Sequence, residues 1–577
     1  MYKKIYKTIL ILFTLFFIQS CYDPSISSGI LDSISDSTID DSSSTEKKEY
    51  QKDENGFYIL EDDYYSYKAI EDDKEVSKLR FSNNISKDYT YSQIKLFGNG
   101  VNIPVYNCKV NISQVWNALA PSRQNNAVAI VELKGEVEFK IQCNFAILDE
   151  CVIRPLQANI TPKIDEERRV ITFKISSKGQ YTIELRSKRV LHLFVNSYGE
   201  FDSYKNEENL IYFGPGVHNH QNNSRIDKNN KVNLSSNTTV FVDYGAIVQA
   251  AFFAHGGNNI KIVGGGIIDG SVFERNANIN IQTIPYEFNY CSNLMFKGIV
   301  TTDPAGWCYN IYYCDAVVLD NIKIISSRSN GDGVSIQSCK NVTCKNSFVR
   351  SWDDSLVVKN YPEWSDRSRQ GTTKNIVFDN CILWTDLAQS MEIGFETVGL
   401  VMEDITFNNI TVLHNYHKAP ISIHNGNNAN IKRVKFTNIT IEDAAMGKGD
   451  GNNLLIDIAC EYSSTWSPKQ GNTSLGSIDD VLLENIKVIE CIDNAKVHIR
   501  GSIDPRSEYN NTTHYVSNIT LKDIMIKDEI LTEKYKNYET SYSKNINFIT
   551  SGNSIIGSKI EYDDSLNYGK NYKIEIL

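Results

Sequence analysis

From residue 258 onward one eight-residue pattern returns nine times: NNIKIVGG, SNLMFKGI, DAVVLDNI, KNVTCKNS, KNIVFDNC, EDITFNNI, KRVKFTNI, DDVLLENI and SNITLKDI. With the first aliphatic residue as reference, the series runs Ile260, Leu294, Val317, Val342, Ile376, Ile405, Val434, Val481 and Ile519. The spacings are 34, 23, 25, 34, 29, 29, 47 and 38 residues. Apolar and polar residues alternate inside each unit, which marks strands. A shortest period of 23 with variable excess suits a coil of short strands whose turns accept insertions. Asparagine recurs one residue before the reference (Asn259, Asn293, Asn341, Asn375, Asn518) and four after it (Asn321, Asn346, Asn380, Asn409, Asn438, Asn485). Asn tolerates a bent backbone, and stacked copies bond through their amides. Cys291, Cys314 and Cys339 stand three residues before their references, so a column of small buried groups is expected rather than disulfides. These ladders predict an all-β chain whose residues 201–577 form a parallel β-helix, not a propeller or a leucine-rich horseshoe.

Residues 57–200 lack the repeat. Their separated runs VAIVEL, VEFKIQ, RVITFKI, YTIELR and LHLFVN read as a β-sandwich, expected to cover one end of the β-helix or to lengthen a groove. The start, MYKKIYKTILILFTLFFIQSC, reads as an export signal over residues 1–20, with an apolar run too short to span a membrane comfortably. Its ending Ile18-Gln19-Ser20-Cys21 resembles a bacterial lipobox, which implies lipidation of Cys21 and anchoring in the cell envelope, outside the cytoplasm, at the outer membrane or cell surface. Residues 21–56, rich in Ser and Asp up to about Tyr50, are expected to be a flexible tether. A net charge of −11 with no long basic run beyond the N-terminus argues against nucleic acid as a partner. Eleven cysteines follow Cys21, an odd number, so they cannot all pair. Neither a CxxC pair nor a His/Cys cluster at zinc spacing occurs, so no structural metal is expected, and no cofactor is implied.

The segment SWDDSLVVKN, residues 351–360, places two aspartates at the mouth of a buried strand. Asp332, flanked by Gly331 and Gly333, lies 21 residues before Asp353 and 22 before Asp354, close to one short coil. Stacked coils are about 4.8 Å apart, so all three carboxylates are expected on one patch. Like charges that close raise each other's pKa, which keeps one proton available while a neighbour stays ionised. Protonating a leaving oxygen while a carboxylate activates water needs that arrangement. The plainer alternative, Asp332 capping a glycine turn and Asp354 pairing with Lys359, leaves the clustering unexplained.

The segments IYFGPGVH, IKIVGGGIIDG, NGDGVSIQSCKNV and DDSLVVK resemble, in order, segments of the family 28 polygalacturonases. Residues from about 205 to 445 resemble the right-handed β-helix (pectin-lyase-like) glycoside hydrolases, including the family 49 dextranases. The resemblance implies inverting hydrolysis of an extracellular polysaccharide, with Asp332, Asp353 and Asp354 catalytic and Asp354 the general acid. Two departures bear on the substrate. Ala388-Gln389-Ser390 stands where the polygalacturonases carry Gly-His-Gly, and Pro420-Ile421-Ser422 where they carry the Arg-Ile-Lys that holds a uronate. Instead SMEIGFE and TVLHNYHK resemble dextranase-family segments, which favours a neutral or non-galacturonan glycan. The candidate substrate-binding residues are Lys359, Trp352, Gln389, Glu392, His414 and His424, with Tyr361, Trp364 and Trp384 as further faces for sugar rings. Two rivals stay open: a polysaccharide lyase on the same fold, using a Lys, Arg or His base, and a non-catalytic glycan-binding β-helix. The oligomeric state is not legible.

Overall fold

The computed structural model of the protein describes residues 50–61, 63–66, 76–112, 122–147, 151–186, 189–363, 366, 368–444, 452–469, 471, 473–559 and 571–576. The expected signal, Cys21, the tether up to residue 49 and Trp364 lie outside them. The repeats from Ile260 to Ile376 each open a coil of three strands, and from Ile405 on the first two run together as one long strand. The repeat strand and the short strand after it, such as Ser292–Lys297 and Val300–Thr302, join a 20-stranded sheet, and a third strand, such as Tyr309–Tyr312, joins an 11-stranded sheet.

Successive coils pair in parallel in the register the repeat demands, with the nine reference residues from Ile260 to Ile519 as consecutive partners. All nine are buried. The bends fall on the asparagines: φ lies between 51° and 57° at Asn321, Asn346, Asn380, Asn409, Asn438 and Asn485. Among residues other than Gly, Asn visits that left-handed region most readily. The side-chain amides also tie coil to coil, Asn380 Nδ2 donating to Asn346 Oδ1 at 2.9 Å and Asn485 Nδ2 to Asn438 Oδ1 at 2.8 Å. The cysteine column forms as expected, with the Cys291 and Cys314 amides each 3.3 Å from the next thiol, and all three thiols free.

Residues 76–197 build most of a seven-stranded sheet and all of a five-stranded one, which face each other across Leu79, Leu96, Val131, Phe139, Phe173 and Ile183. The seven-stranded sheet turns its other face to the coils. There Val128, Ile130 and Phe194 meet Phe241, Val263, Ile325, Phe348 and Trp384. The sandwich therefore lies along the flank of the β-helix rather than over its end. The outer face of the 20-stranded sheet carries apolar side chains on coil after coil, and the flanking position buries them. The chain's last described strand, Asn571–Ile576, also departs from the expected coil. It pairs in parallel with Val76–Phe81 and so extends the sandwich sheet, where its backbone groups find partners.

Candidate active site

The three aspartates stand on the connections that lead from the 20-stranded into the 11-stranded sheet. Asp332 lies two residues before Val334–Gln337, and Asp354 two before Leu356–Asn360. Val334 pairs with Leu356, so the two acids hold equivalent places on consecutive coils, about 4.8 Å apart along the backbone. Gln389, two residues before Met391, holds that place on the coil after. The turns are bonded to one another: Gly333 N donates to Asp354 O at 2.8 Å and Ser355 N to Gln389 O at 2.9 Å. Crowding explains the glycine beside Asp332, because a Cβ on Gly333 would lie 2.4 Å from Ser355 O.

A chain of hydroxyls fixes the Asp353-Asp354 turn from beneath. Ser351 Oγ donates to Asp353 O at 2.6 Å and also meets Ser355 Oγ at 2.7 Å. Ser355 meets Thr385 Oγ1 at 2.7 Å, Thr385 meets Ser390 Oγ at 2.8 Å, and Asn415 Nδ2 donates to Ser390 Oγ at 3.0 Å. Each hydroxyl has one proton, and that of Ser351 goes to the carbonyl. The whole chain is therefore oriented from the Asn415 amide towards Asp353. All four hydroxyl residues and Asn415 are buried, so this is a rigid support rather than a solvated surface.

Asp332 is buried, and Asp353 and Asp354 are half-buried with a face to the groove. Burial raises the pKa of Asp332 well above the usual carboxylate range, and the charges of Asp353, Asp354 and Glu396 add to it. Asp354 is likewise raised well above that range by burial, then by Asp353 and Glu392, against a 3.2 Å hydrogen bond from Gln389 N. Asp353 is raised by burial, while Lys359, the Asp354 amide and Lys418 restrain it. Lys359 Nζ stands 3.7 Å from Asp332 Oδ2 and 3.3 Å from Glu396 Oε2, and 4.5 Å over the Trp307 ring. Burial disfavours its charge, but Glu396 and the aspartates overcome that and hold its pKa well above the usual lysine value. The site is thus a proton-rich carboxylate cluster around one fixed cation. Its raised carboxyls can hold and release a proton, but its lysine, kept charged, is not a base.

The structure brings Lys359, Gln389 and His424 into the same groove as the aspartates, while Glu392, 1% exposed, lies beneath it with its oxygens bonded to Ser422 and His424. His424 donates Nδ1–H to Glu392 and Nε2–H to Asp457, each at 2.8 Å, so both its nitrogens are taken and neither is open to a sugar hydroxyl. Two candidates lie elsewhere. Trp352 is 1% exposed and packed inside, so it offers no face to a ring. His414 bonds Asp443 at 2.7 Å and Glu184 of the sandwich at 2.6 Å, and therefore belongs to the contact between sandwich and coils. Trp384 lies there too, with the Arg350 guanidinium 3.9 Å over its ring, whereas the buried Tyr361 lies beside Glu396 and Lys359. Sequence reasoning missed Trp307, Glu396, Asp457 and Arg500. It also missed Arg275, whose Nε donates to Ser329 O at 2.7 Å and steadies the loop before Asp332. The one local signal was Gly394, a lone glycine inside a strand pattern, which marks a bulge.

A family model for the glycosyl hydrolases of family 28 matches residues 216–505, a stretch that contains the three aspartates and the rest of the groove. Among solved structures the chain is similar to Dex49A from Penicillium minioluteum, with 12% identity and a TM-score of 0.50 over 81% of this chain and 95% of that one. It is also similar to a hyperthermoactive exopolygalacturonase from Thermotoga maritima (14% identity, TM-score 0.40, 61% and 86% covered). A third is the family 28 exopolygalacturonase of Yersinia enterocolitica (11% identity, TM-score 0.36, 72% and 96% covered). At these identities the likeness to the first concerns the fold alone. No curated protein sequence matches the chain.

Proposed function

The chain belongs to the family 28 glycosyl hydrolases, and from that premise we propose that it cleaves an extracellular polysaccharide with inversion, taking a neutral or non-galacturonan glycan. In this reading Asp354 protonates the departing glycosidic oxygen, while Asp332 and Asp353 hold and deprotonate the water that attacks the anomeric carbon from the opposite side. The observation that carries it is the cluster itself: three carboxylates on adjacent turns, all with raised pKa, around the cation of Lys359. A non-catalytic glycan binder has no use for such a cluster, since buried like charges cost stability. Lys359, kept protonated by its neighbours, speaks against a lyase that would need it as a base. For the substrate, Ser422 turns its hydroxyl to Glu392 at the place where a uronate would need a cation. A site without that partner discriminates against the acid sugar.

We further propose attachment to the cell envelope through a lipid on Cys21, which would put the site outside the cytoplasm near a polymer too large to import. Digestion of a glycan panel with chromatography of the products and their anomeric configuration tests the enzymatic reading. Inverted reducing ends from a neutral glycan are expected. Efficient turnover of polygalacturonan would refute the substrate part, and products absorbing in the ultraviolet would mean a lyase.

A further inference from the structure

Beyond Gln389 the groove continues into a cavity walled by Lys418, His424, Asp457, Glu461 and Arg500. A bulge shapes its near side. Val358 pairs with Ile393 and Asn360 with Thr397, so Gly394, Phe395 and Glu396 stand opposite the single residue Lys359. Bulges re-aim side chains, and this one does so twice. Glu396 reaches Lys359 at 3.3 Å, and Phe395 lies flat on the His424 ring, 4.1 Å away with the planes 3° apart. Trp466, 39% exposed, follows at 6.3 Å from Phe395 and 23° from its plane. Two nearly parallel aromatic rings therefore lie beside the carboxylate cluster, with Phe395 itself half-exposed.

The charges around these rings are matched. Arg500 pairs with Asp457, and with Glu461 at 2.8 Å. His424 lies between Glu392 and Asp457. Lys418 stands close enough to Asp353 to hold its carboxyl down. A uronate entering here would have to displace an existing carboxylate from its cation, whereas the apolar face of an uncharged pyranose asks only for a flat aromatic surface.

Taking the glycosidase reading above as its basis, we propose that Phe395 and Trp466 form the stacking platform of a sugar subsite next to the cleavage point, and that the ring it takes is uncharged. The test is steady-state hydrolysis of neutral glucan oligosaccharides and of oligogalacturonates, both about three to six units long, by wild type, Phe395→Ala, Phe395→Leu and Trp466→Ala. Tryptophan-fluorescence titration with the same oligosaccharides accompanies it. Phe395→Ala should raise KM for neutral oligomers roughly five- to tenfold and leave kcat nearly unchanged, the loss of one aromatic contact. Phe395→Leu, which keeps apolar bulk and guards against misfolding, should show most of the same rise. Trp466→Ala should raise KM only for the longer oligomers and abolish the fluorescence change. Wild-type KM in all three variants, with a neutral glycan still cleaved, overturns the platform and spares the hydrolase reading. Binding that is seen by fluorescence and lost in Trp466→Ala, with no cleavage of any glycan, does the reverse. If wild type prefers the oligogalacturonates, or binds neither probe, the neutral subsite is refuted.

Discussion

His424→Gln removes the centre of the network on which Phe395 rests. The imidazolium lies between Glu392 and Asp457, and its pKa is pushed up to about 10 from 6.5: burial opposes the charge, and the two carboxylates overcome it. At about 1.4 kcal/mol per unit, that displacement is worth roughly 5 kcal/mol of preference for the charged ring. Asp457 is pushed down to about 2 from 3.8, against burial, by His424 and then Arg500. Seen from that side the interaction is worth roughly 2.5 kcal/mol. The two figures differ because His424 also draws on Glu392, while Asp457 divides its lowering with Arg500. We expect the charged ring to contribute about 2–5 kcal/mol. A raised histidine gives its full contribution below about pH 6.5 and loses it as the pH climbs to about 10. The lowered Asp457 contributes above about pH 4 and fails only as the pH falls towards 2. Denaturation midpoints of wild type and His424→Gln should therefore differ most near pH 6 and converge by pH 10. In a histidine NMR titration, the signal missing from the variant should have a midpoint near 10 among the chain's nine histidines. A constant gap in midpoint across that range, or a missing signal that titrates near 6.5, would refute the reasoning.

Asp353→Asn and Asp354→Asn should each lower turnover at least about 100-fold on the true substrate with an unchanged circular-dichroism spectrum; near-wild-type rates in both would make the pair structural. Lys359 holds down the pKa of all three aspartates. Lys359→Met should therefore move both limbs of the pH profile of kcat/KM to higher pH, and limbs that stay in place would contradict the cluster described here. Cys21→Ser should release the protein from membranes into the soluble fraction, because the acyl chains are lost. Unchanged partitioning of that variant counts against the anchor.

The coils were legible because stacking makes the same demand on every turn. A buried aliphatic at each reference position and an Asn at each left-handed bend recur whatever the insertion length, so the register from Ile260 to Ile519 survives spacings from 23 to 47 residues. The aspartate cluster was legible for a related reason, since two acids at the mouth of a buried strand have no packing purpose. Phe395 and Glu396 were not, because a bulge breaks the alternation that assigns faces. Arg500 reaches Asp457 across 43 residues of sequence, a separation that no local pattern encodes.

The two histidines show most clearly what periodicity leaves open. His414, in Gly399–Asn415, and His424, in Ile421–Asn425, both point outward from their coil, and each bridges two carboxylates. Alternation takes His424 out of the coil interior but, counted from Val412, would put His414 inside. An irregularity between the partners of Leu383 and Trp384 turns His414 out, and neither pattern says what lies outside. The strand of His414 belongs to the 20-stranded sheet, which the sandwich covers, so one of its carboxylates is Glu184 of the sandwich. The strand of His424 belongs to the 11-stranded sheet, where the groove runs, so its carboxylates are Glu392 and Asp457 and its face is lent to Phe395. Similar local chemistry serves the contact between sandwich and coils in one place and the groove in the other. The position of the sandwich on the flank decides which is which, and that position depends on long-range apolar packing rather than on any motif.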